Sequence, residues 1–276
     1  MNQSAGEFAP INVYYNTSVD QNTIQKLVNL NKQFYQTFGE AFAQTRQRIQ
    51  PGVRAELEKI PKHGNWLDLG CGNGALALEW LRQGRRGVYH GLDFSDVLLE
   101  KARAGLAQSH IPDTISFEFE KANLIELDWI KSVGKECWDG VLAFAVLHHI
   151  PDMELRESIL KAVHTSLKPG GIFVHSEWQF QNSEQWMMRR QPWSLVGLDA
   201  KDIDIGDTLL DWRHIMTGQA EKVGLRYVHL YSKEELTVLA HQTGFNIIDE
   251  FESDGEGGNL GIYQIWQKPG DGSAVL

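Results

Sequence analysis

Residues 66–76 read WLDLGCGNGAL: an apolar strand runs into a carboxylate and three alternating glycines, and a helix follows at once. No other stretch of the chain restricts the backbone so tightly. Gly70, Gly72 and Gly74 allow a sharp turn and let a ligand approach the backbone with no Cβ in the way. In open α/β sheets, ligands sit beyond the carboxyl ends of the strands. The bend therefore predicts a strand–turn–helix unit with a nucleotide-type ligand above it. A dinucleotide fingerprint places its last glycine three residues after the second. The spacing Gly70-x-Gly72-x-Gly74 suits a pyrophosphate at the helix start poorly.

The surrounding chain repeats that unit. Residues 66–69, 88–94, 115–119, 141–147 and 172–175 read as strands, and residues 75–83, 95–109 and 153–167 as helices. Residues 141–147 are apolar on both faces, as a central parallel strand should be. Lys168-Pro169-Gly170-Gly171 stops the helix before it. Ser232 and Glu235 form a capping box for a helix that runs to about Thr243 and ends at Gly244. Residues 246–251 and 261–267 read as two last strands joined through Gly255, Gly257 and Gly258, a hairpin. Such alternation predicts an α/β fold, a mostly parallel sheet wound with helices on both faces. Leu27, Leu30, Phe34, Phe38 and Phe42 extend a helical pattern over residues 22–60.

The expected layout is an N-terminal arm and helical cap (1–60), a nucleotide-binding core (61–180), an irregular insert (181–224), the rest of the core (225–268) and a tail (269–276). An unpatterned segment as long as the insert suggests a lid or substrate-binding element.

Composition bounds the function. The formal net charge is −10, from 26 Lys and Arg against 36 Asp and Glu, which argues against an overall nucleic-acid footprint. The longest apolar run, residues 141–147, is too short for a bilayer, so no membrane partner is expected. The N-terminus has neither a basic start nor an apolar run, and no signal peptide is expected. Cys71 and Cys137 make no disulfide framework, consistent with a reducing cytoplasm. His148 and His149 are adjacent, with no metal-type spacing around them, and no metal is expected.

GLDFS, residues 91–95, puts Asp93 at the end of the second strand. A carboxylate there suits both hydroxyls of a ribose, although Asp93 also fits as the N-cap of the next helix. The acidic residue followed by G-x-G-x-G, from Asp68 through Gly70, Cys71, Gly72 and Gly74, resembles the first motif of class I S-adenosylmethionine-dependent methyltransferases. The resemblance implies a Rossmann-like sheet of seven strands with the last antiparallel, and S-adenosylmethionine as cofactor. It implies Asp93 on the ribose, Phe94 on the adenine face, and Asn123 on the adenine amino group with Ala122 and Leu124 beside it. Ala143 and Phe144, in WDGVLAFAVLHHIP, would line the methionine part.

The flanks are similar to methyltransferases of carboxymethylated wobble uridines in tRNA. Tyr35, Phe42, Thr45 and Arg46 match their N-terminal segment, residues 209–213 (LLDWR) and 225–236 (LRYVHLYSKEEL) their later blocks. This implies Tyr35 and Arg46 near the cofactor, Arg46 on its carboxylate, and a small activating subunit as partner. Val228 departs from the pattern, and the insert is acidic. Three readings stand: methylation of tRNA, methylation of a small molecule, and a non-catalytic regulatory subunit. A carboxylate acceptor needs no general base. Arg226, Tyr227 and His229 would then orient the anion. A hydroxyl or amine acceptor would give its proton to His148, His149 or His229. A basic patch of Arg189, Arg190, Arg213, Lys222 and Arg226, with Trp186 and Trp193, would favour RNA.

Overall fold

The computed structural model describes residues 19–44, 48–214 and 222–270. The expected arm, Thr45, Arg46 and most of the 269–276 tail lie outside the described residues. Helix α1 (Gln21–Gln44) begins where the Asp20 carboxylate accepts the Asn22 and Thr23 N–H groups at 2.9 and 3.1 Å. The helical pattern expected through residue 60 is broken, and α2 (Pro51–Lys59) is a separate helix. Pro51 has no N–H and fits only a first helical turn, and it holds Gln50 extended at ψ 146°.

The chain then alternates β1 (His63–Leu69), α3 (Ala75–Arg82), β2 (Arg86–Asp93), α4 (Asp96–Ala107), β3 (Ile115–Lys121), α5 (Trp129–Val133), β4 (Trp138–Phe144), α6 (Met153–Ser166) and β5 (Leu167–Trp178). A short helix α7 (Glu184–Met187) and strands β6 (Arg190–Gln191), β7 (Asp207–His214) and β8 (Lys222–His229) follow. Helix α8 (Lys233–Gln242), β9 (Asn246–Ser253) and β10 (Gly261–Gln267) end the described fold. Ser232 caps α8, its hydroxyl accepting the Glu235 N–H at 3.0 Å.

Seven strands form one sheet in the order β3-β2-β1-β4-β5-β10-β9, parallel except that β10 runs antiparallel to both neighbours. This is the expected class, with the expected hairpin of the last two strands. Alternate residues feed two apolar layers. Leu67, Val141 and Ala143 pack with Ile159 and Val163 of α6 and Leu236 and Leu239 of α8. Trp66, Leu142 and Val174 pack on the other side with Val53 and Leu57 of α2 and Trp80 of α3. Strand β4 is apolar on both faces because both faces are covered.

Three further expectations are corrected. Strand β4 ends at Phe144, not at residue 147, because Ala145 turns the chain with φ +59° and residues 147–149 form a 3₁₀ turn. Strand β5 starts at Leu167, and a register shift against β4 absorbs Lys168-Pro169-Gly170-Gly171 inside the strand. The insert is not irregular. β6, β7 and β8 form a second, antiparallel sheet, so residues 222–229 belong with the insert rather than with the core sheet. Its apolar residues are interleaved with aspartates that ion pairs bury, which hid the strand alternation. Helix α1 lies on this sheet: Asn31 accepts the Tyr227 N–H at 2.8 Å and donates to the Tyr227 carbonyl at 3.0 Å.

Helix α2 buries Glu56 completely, and neither of its carboxylate oxygens has a hydrogen-bond partner among the described residues. Burial pushes this carboxyl up to about 7, and Lys59, 3.8 Å away, only partly offsets it. A folded-state value above the unfolded one favours the fold at low pH, and that advantage is lost as pH rises from 4.5 through 7. Glu56→Gln, which copies the neutral acid, should therefore raise stability by roughly 1–3 kcal/mol at alkaline pH. It should change little in mild acid. Melting curves of both proteins at the two pH values check this, and an equal shift at both would refute it.

Candidate functional site

The carboxyl ends of β1, β2 and β4 lie side by side, and the glycine bend closes β1 between the other two. Its three glycines do different things. A Cβ on Gly70 would sit 2.7 Å from the Val146 side chain, and one on Gly74 would sit 2.7 Å from Ala102 of α4. These two glycines let neighbouring elements close up. Gly72 has φ +55° and nothing within 4 Å of where its Cβ would be. The bend thus leaves one open backbone position, and Gly72 holds it.

Asp93 faces that position. Its two carboxylate oxygens accept the Gly72 and Ser95 N–H groups, each at 2.9 Å. The N-cap of α4 is Ser95, whose hydroxyl accepts the Leu98 N–H, so the capping alternative for Asp93 falls away. Burial raises the Asp93 carboxyl above its ordinary range, and the N–H groups of Ser95, Gly72 and Phe94 oppose that rise. Each oxygen uses one lone pair on the backbone and keeps another for a ligand hydroxyl. Beneath it, Asp68 is buried, takes a hydrogen bond from the Tyr89 hydroxyl and is pushed up to about 7 by burial and by the Asp93 charge. Phe94 is half-buried, with the Tyr35 ring edge-on at 5.8 Å.

Other expected contacts are placed differently. The Cys71 side chain turns inward, lying 2.7 Å from where a Gly91 Cβ would be, and burial pushes its thiol up. Only the Cys71 backbone faces the bend. The Asn123 side-chain Oδ1 accepts the Ile125 N–H at 3.3 Å and its side-chain amide nitrogen donates to Glu126 at 2.8 Å, so it caps a 3₁₀ turn instead of presenting a free amide. Ala122 is buried and donates its N–H to the Asp93 carbonyl at 3.0 Å, and the Leu124 carbonyl accepts the Trp129 indole. Ala143 is fully buried in the core, and Phe144 packs toward Tyr263. The residue that turns out of β4 at the site is Ala145, with its N–H on the Ser176 carbonyl at 3.0 Å.

The five catalytic candidates separate. Tyr227 and His229 are fully buried in a charged cluster. Arg156 of α6 reaches Asp204 at 3.1 Å, and Asp207 and Glu235 at 3.4 Å. The Tyr227 hydroxyl donates to Asp207 at 2.8 Å, and the His229 ring lies between Asp207 at 2.7 Å and Glu235 at 2.9 Å. These two residues tie the second sheet to α6 and α8, and their side chains are spent on that buried cluster rather than open to an anion, unlike the expectation. Arg226 is 1% exposed, its guanidinium 4.9 Å from the Trp178 ring and 5.7 Å from that of Phe34. His148 is buried beside Glu177, whose carboxyl burial holds well above its ordinary range. His149 alone of the candidate histidines is partly exposed. Its ring contacts the Tyr35 hydroxyl at 2.8 Å, and Asn31 and the Tyr227 carbonyl at 3.4 Å.

Sequence reasoning missed Asn31 and the Arg156 cluster. Asn31 interrupts the apolar stripe of α1 between Leu27 and Phe34, and that interruption was the available signal. Arg156, Asp204 and Glu235 are far apart in the chain and carried none. Removing Arg156 would leave three buried carboxylates facing one another. Arg156→Leu should cost about 3–5 kcal/mol of unfolding free energy in urea titrations. A cost under roughly 1 kcal/mol, the range of exposed pairs, would show that the cluster does not depend on it.

Residues 41–250 match the family described as a methyltransferase domain. A protein of Encephalitozoon cuniculi described as a methyltransferase is 26% identical over 218 residues, covering 78% of this chain and 87% of that one. The tRNA (carboxymethyluridine(34)-5-O)-methyltransferase of Arabidopsis thaliana is 21% identical over 194 residues, covering 69% of this chain and 44% of that protein. The chain thus matches less than half the length of that tRNA enzyme. A solved structure of the 1,6-didemethyltoxoflavin-N1-methyltransferase of Burkholderia thailandensis superposes with TM-score 0.58 at 18% identity, over 94% of this chain and 97% of that one. That likeness is one of fold. With the family match spanning most of its length and the seven-stranded sheet of class I methyltransferases at its centre, the chain belongs to the methyltransferase-domain family.

Proposed function

We propose that the chain transfers a methyl group from S-adenosylmethionine to a small-molecule acceptor. The observation that carries the cofactor is the open Gly72 position with the Asp93 carboxylate hydrogen-bonded to it. When bound, S-adenosylmethionine supplies an electrophilic methyl group on a positively charged sulfur. Asp93 would hold the ribose hydroxyls through its remaining lone pairs, and Phe94 would cover one side of the base. Gly72 would leave the backbone of the bend accessible. Tyr35, packed against Phe94, would close that side of the site against water.

The acceptor reading rests on charge. Arg189 and Arg213 both pair with Asp211, at 3.4 and 3.0 Å, and Arg226 is buried. Of the five cations expected to face RNA, Arg190 and Lys222 remain exposed without an ion pair among the described contacts. A phosphate backbone is held by cations that give up counterions, and paired or buried cations serve it poorly. A second reading, the wobble uridine of tRNA, is supported by the motifs around Tyr35 and in residues 209–213 and 225–236.

Incubation with methyl-labelled S-adenosylmethionine and either bulk tRNA or a small-molecule extract separates the two. Label in the extract fraction is expected, and label in tRNA would support the second reading instead. Asp93→Ala should weaken cofactor binding by about 1.5–3 kcal/mol, the worth of a charge-assisted hydrogen bond, and titration calorimetry measures it. Gly72→Val should abolish binding while leaving the circular dichroism spectrum in place, since it fills the open position at a φ that branched side chains avoid. Retained affinity in either variant would move the cofactor away from the bend.

A further inference from the structure

We propose that Tyr35 and His149 form a proton relay, and that the acceptor therefore reacts through a group that carries a proton, a hydroxyl or an amine, and not through a carboxylate. This rests on the methyl-transfer reading above and narrows its substrate class.

Position is the first argument. Phe94 follows β2 and His149 follows β4, and β1 with its glycine bend lies between those strands. The Tyr35 ring is edge-on to both, with centroids 5.8 Å from Phe94 and 5.5 Å from His149. Helix α1 thus carries a phenol across the mouth of the bend, with its hydroxyl 2.8 Å from His149 Nε2. His148, His175 and His229 are all buried, so His149 is the imidazole at this edge with a route to solvent.

The second argument is the mounting of the His149 ring. Nδ1 lies 3.4 Å from both the Tyr227 carbonyl and the Asn31 amide. Either hydrogen placement satisfies the Tyr35 contact and one of the two Nδ1 contacts. With hydrogen on Nε2, that nitrogen donates to Tyr35 and Nδ1 accepts from Asn31. With hydrogen on Nδ1, that nitrogen donates to the Tyr227 carbonyl and Nε2 accepts the Tyr35 hydroxyl. The relay uses the second arrangement. The acceptor's lone pair forms the new bond to the methyl carbon, and the carbon–sulfur bond breaks with its electron pair left on sulfur. The acceptor's proton passes to Tyr35 Oη as the phenol's own proton passes to His149 Nε2. The imidazolium so formed returns its proton to solvent.

Nitrogen NMR of histidine-labelled wild-type protein reads the arrangement without any turnover. Hydrogen on Nδ1 and a bare Nε2 at His149 are expected, and hydrogen on Nε2 would overturn the relay. The labelled product of the small-molecule extract reads the substrate class. Label that survives mild alkali marks an ether or an amine, whereas label released as methanol marks an ester and overturns the proposal. His149→Gln keeps an acceptor for the phenol but takes up no proton. It should lower turnover about 10²–10⁴-fold, the usual worth of general acid–base catalysis, while the half-saturating donor concentration stays in place. Turnover within roughly threefold of wild type would overturn the relay. Should that variant lose its melting transition, Tyr35→Phe makes the same test of turnover. Wild-type protein that binds no donor in calorimetry would sink the methyl-transfer reading itself, whereas donor binding with hydrogen on Nε2 sinks the relay alone.

Discussion

The hydrogen bond from the Gly72 N–H to the Asp93 carboxylate joins the bend after β1 to the end of β2. Each half of the contact depends on a different constraint. Gly72 presents its N–H because a left-handed φ turns the peptide outward, which a side chain would resist. Asp93 stays at the end of β2 because Ser95 takes over the helix cap and donates its own N–H to the second oxygen. Burial disfavours the charged carboxylate, and backbone N–H groups favour it. The result is a charge held at a fixed place on the carboxyl edge, with lone pairs left over.

A second polar system holds the other half of the molecule. The β6–β8 sheet has little apolar area of its own: small clusters join Leu27 to Tyr227, Phe34 to Trp212, and Phe180 to Leu210 and Val228. The Arg156 cluster adds polar attachment between this sheet, α6 and α8. A buried ion pair adds little beyond an apolar equivalent but fixes one geometry, since any slip leaves a charge unpaired. Tyr227 links the two systems. Its hydroxyl belongs to the cluster, and its backbone binds Asn31, which also touches His149. The residues beside the bend are thereby held in register with the second sheet.

Much of the fold was legible because its signals are local. The glycine bend, the Ser232 cap, the apolar run of β4 and the last hairpin are each set by a few neighbouring residues. The errors arose where a long-range contact decided the outcome. Val146 packs on Gly70, and β4 ends early at Phe144, before the turn at Ala145, rather than running on through an equally apolar Leu147. Strands β7 and β8 carry Asp207, Asp211, Arg226 and His229 as buried residues, so their alternation of apolar and polar residues does not mark an inside and an outside.

The same division runs through the site. Gly72 and Asp93 were identifiable from residue type and order, because the chemistry of a tight backbone approach and of a strand-end carboxylate is written in single residues. The roles of Asn123, Tyr227, His229 and His149 were not, because a polar side chain acts according to what stands opposite it. Asn123 met Glu126 and the Ile125 N–H, His229 met two carboxylates, and His149 met Tyr35 from a helix more than a hundred positions earlier. The order of residues alone therefore determined the sheet and the bend, through local backbone preference and apolar periodicity, while the resemblance of the glycine motif pointed to the class of chemistry. Only the folded chain decided which polar groups are spent on holding it together and which remain at the edge of the site.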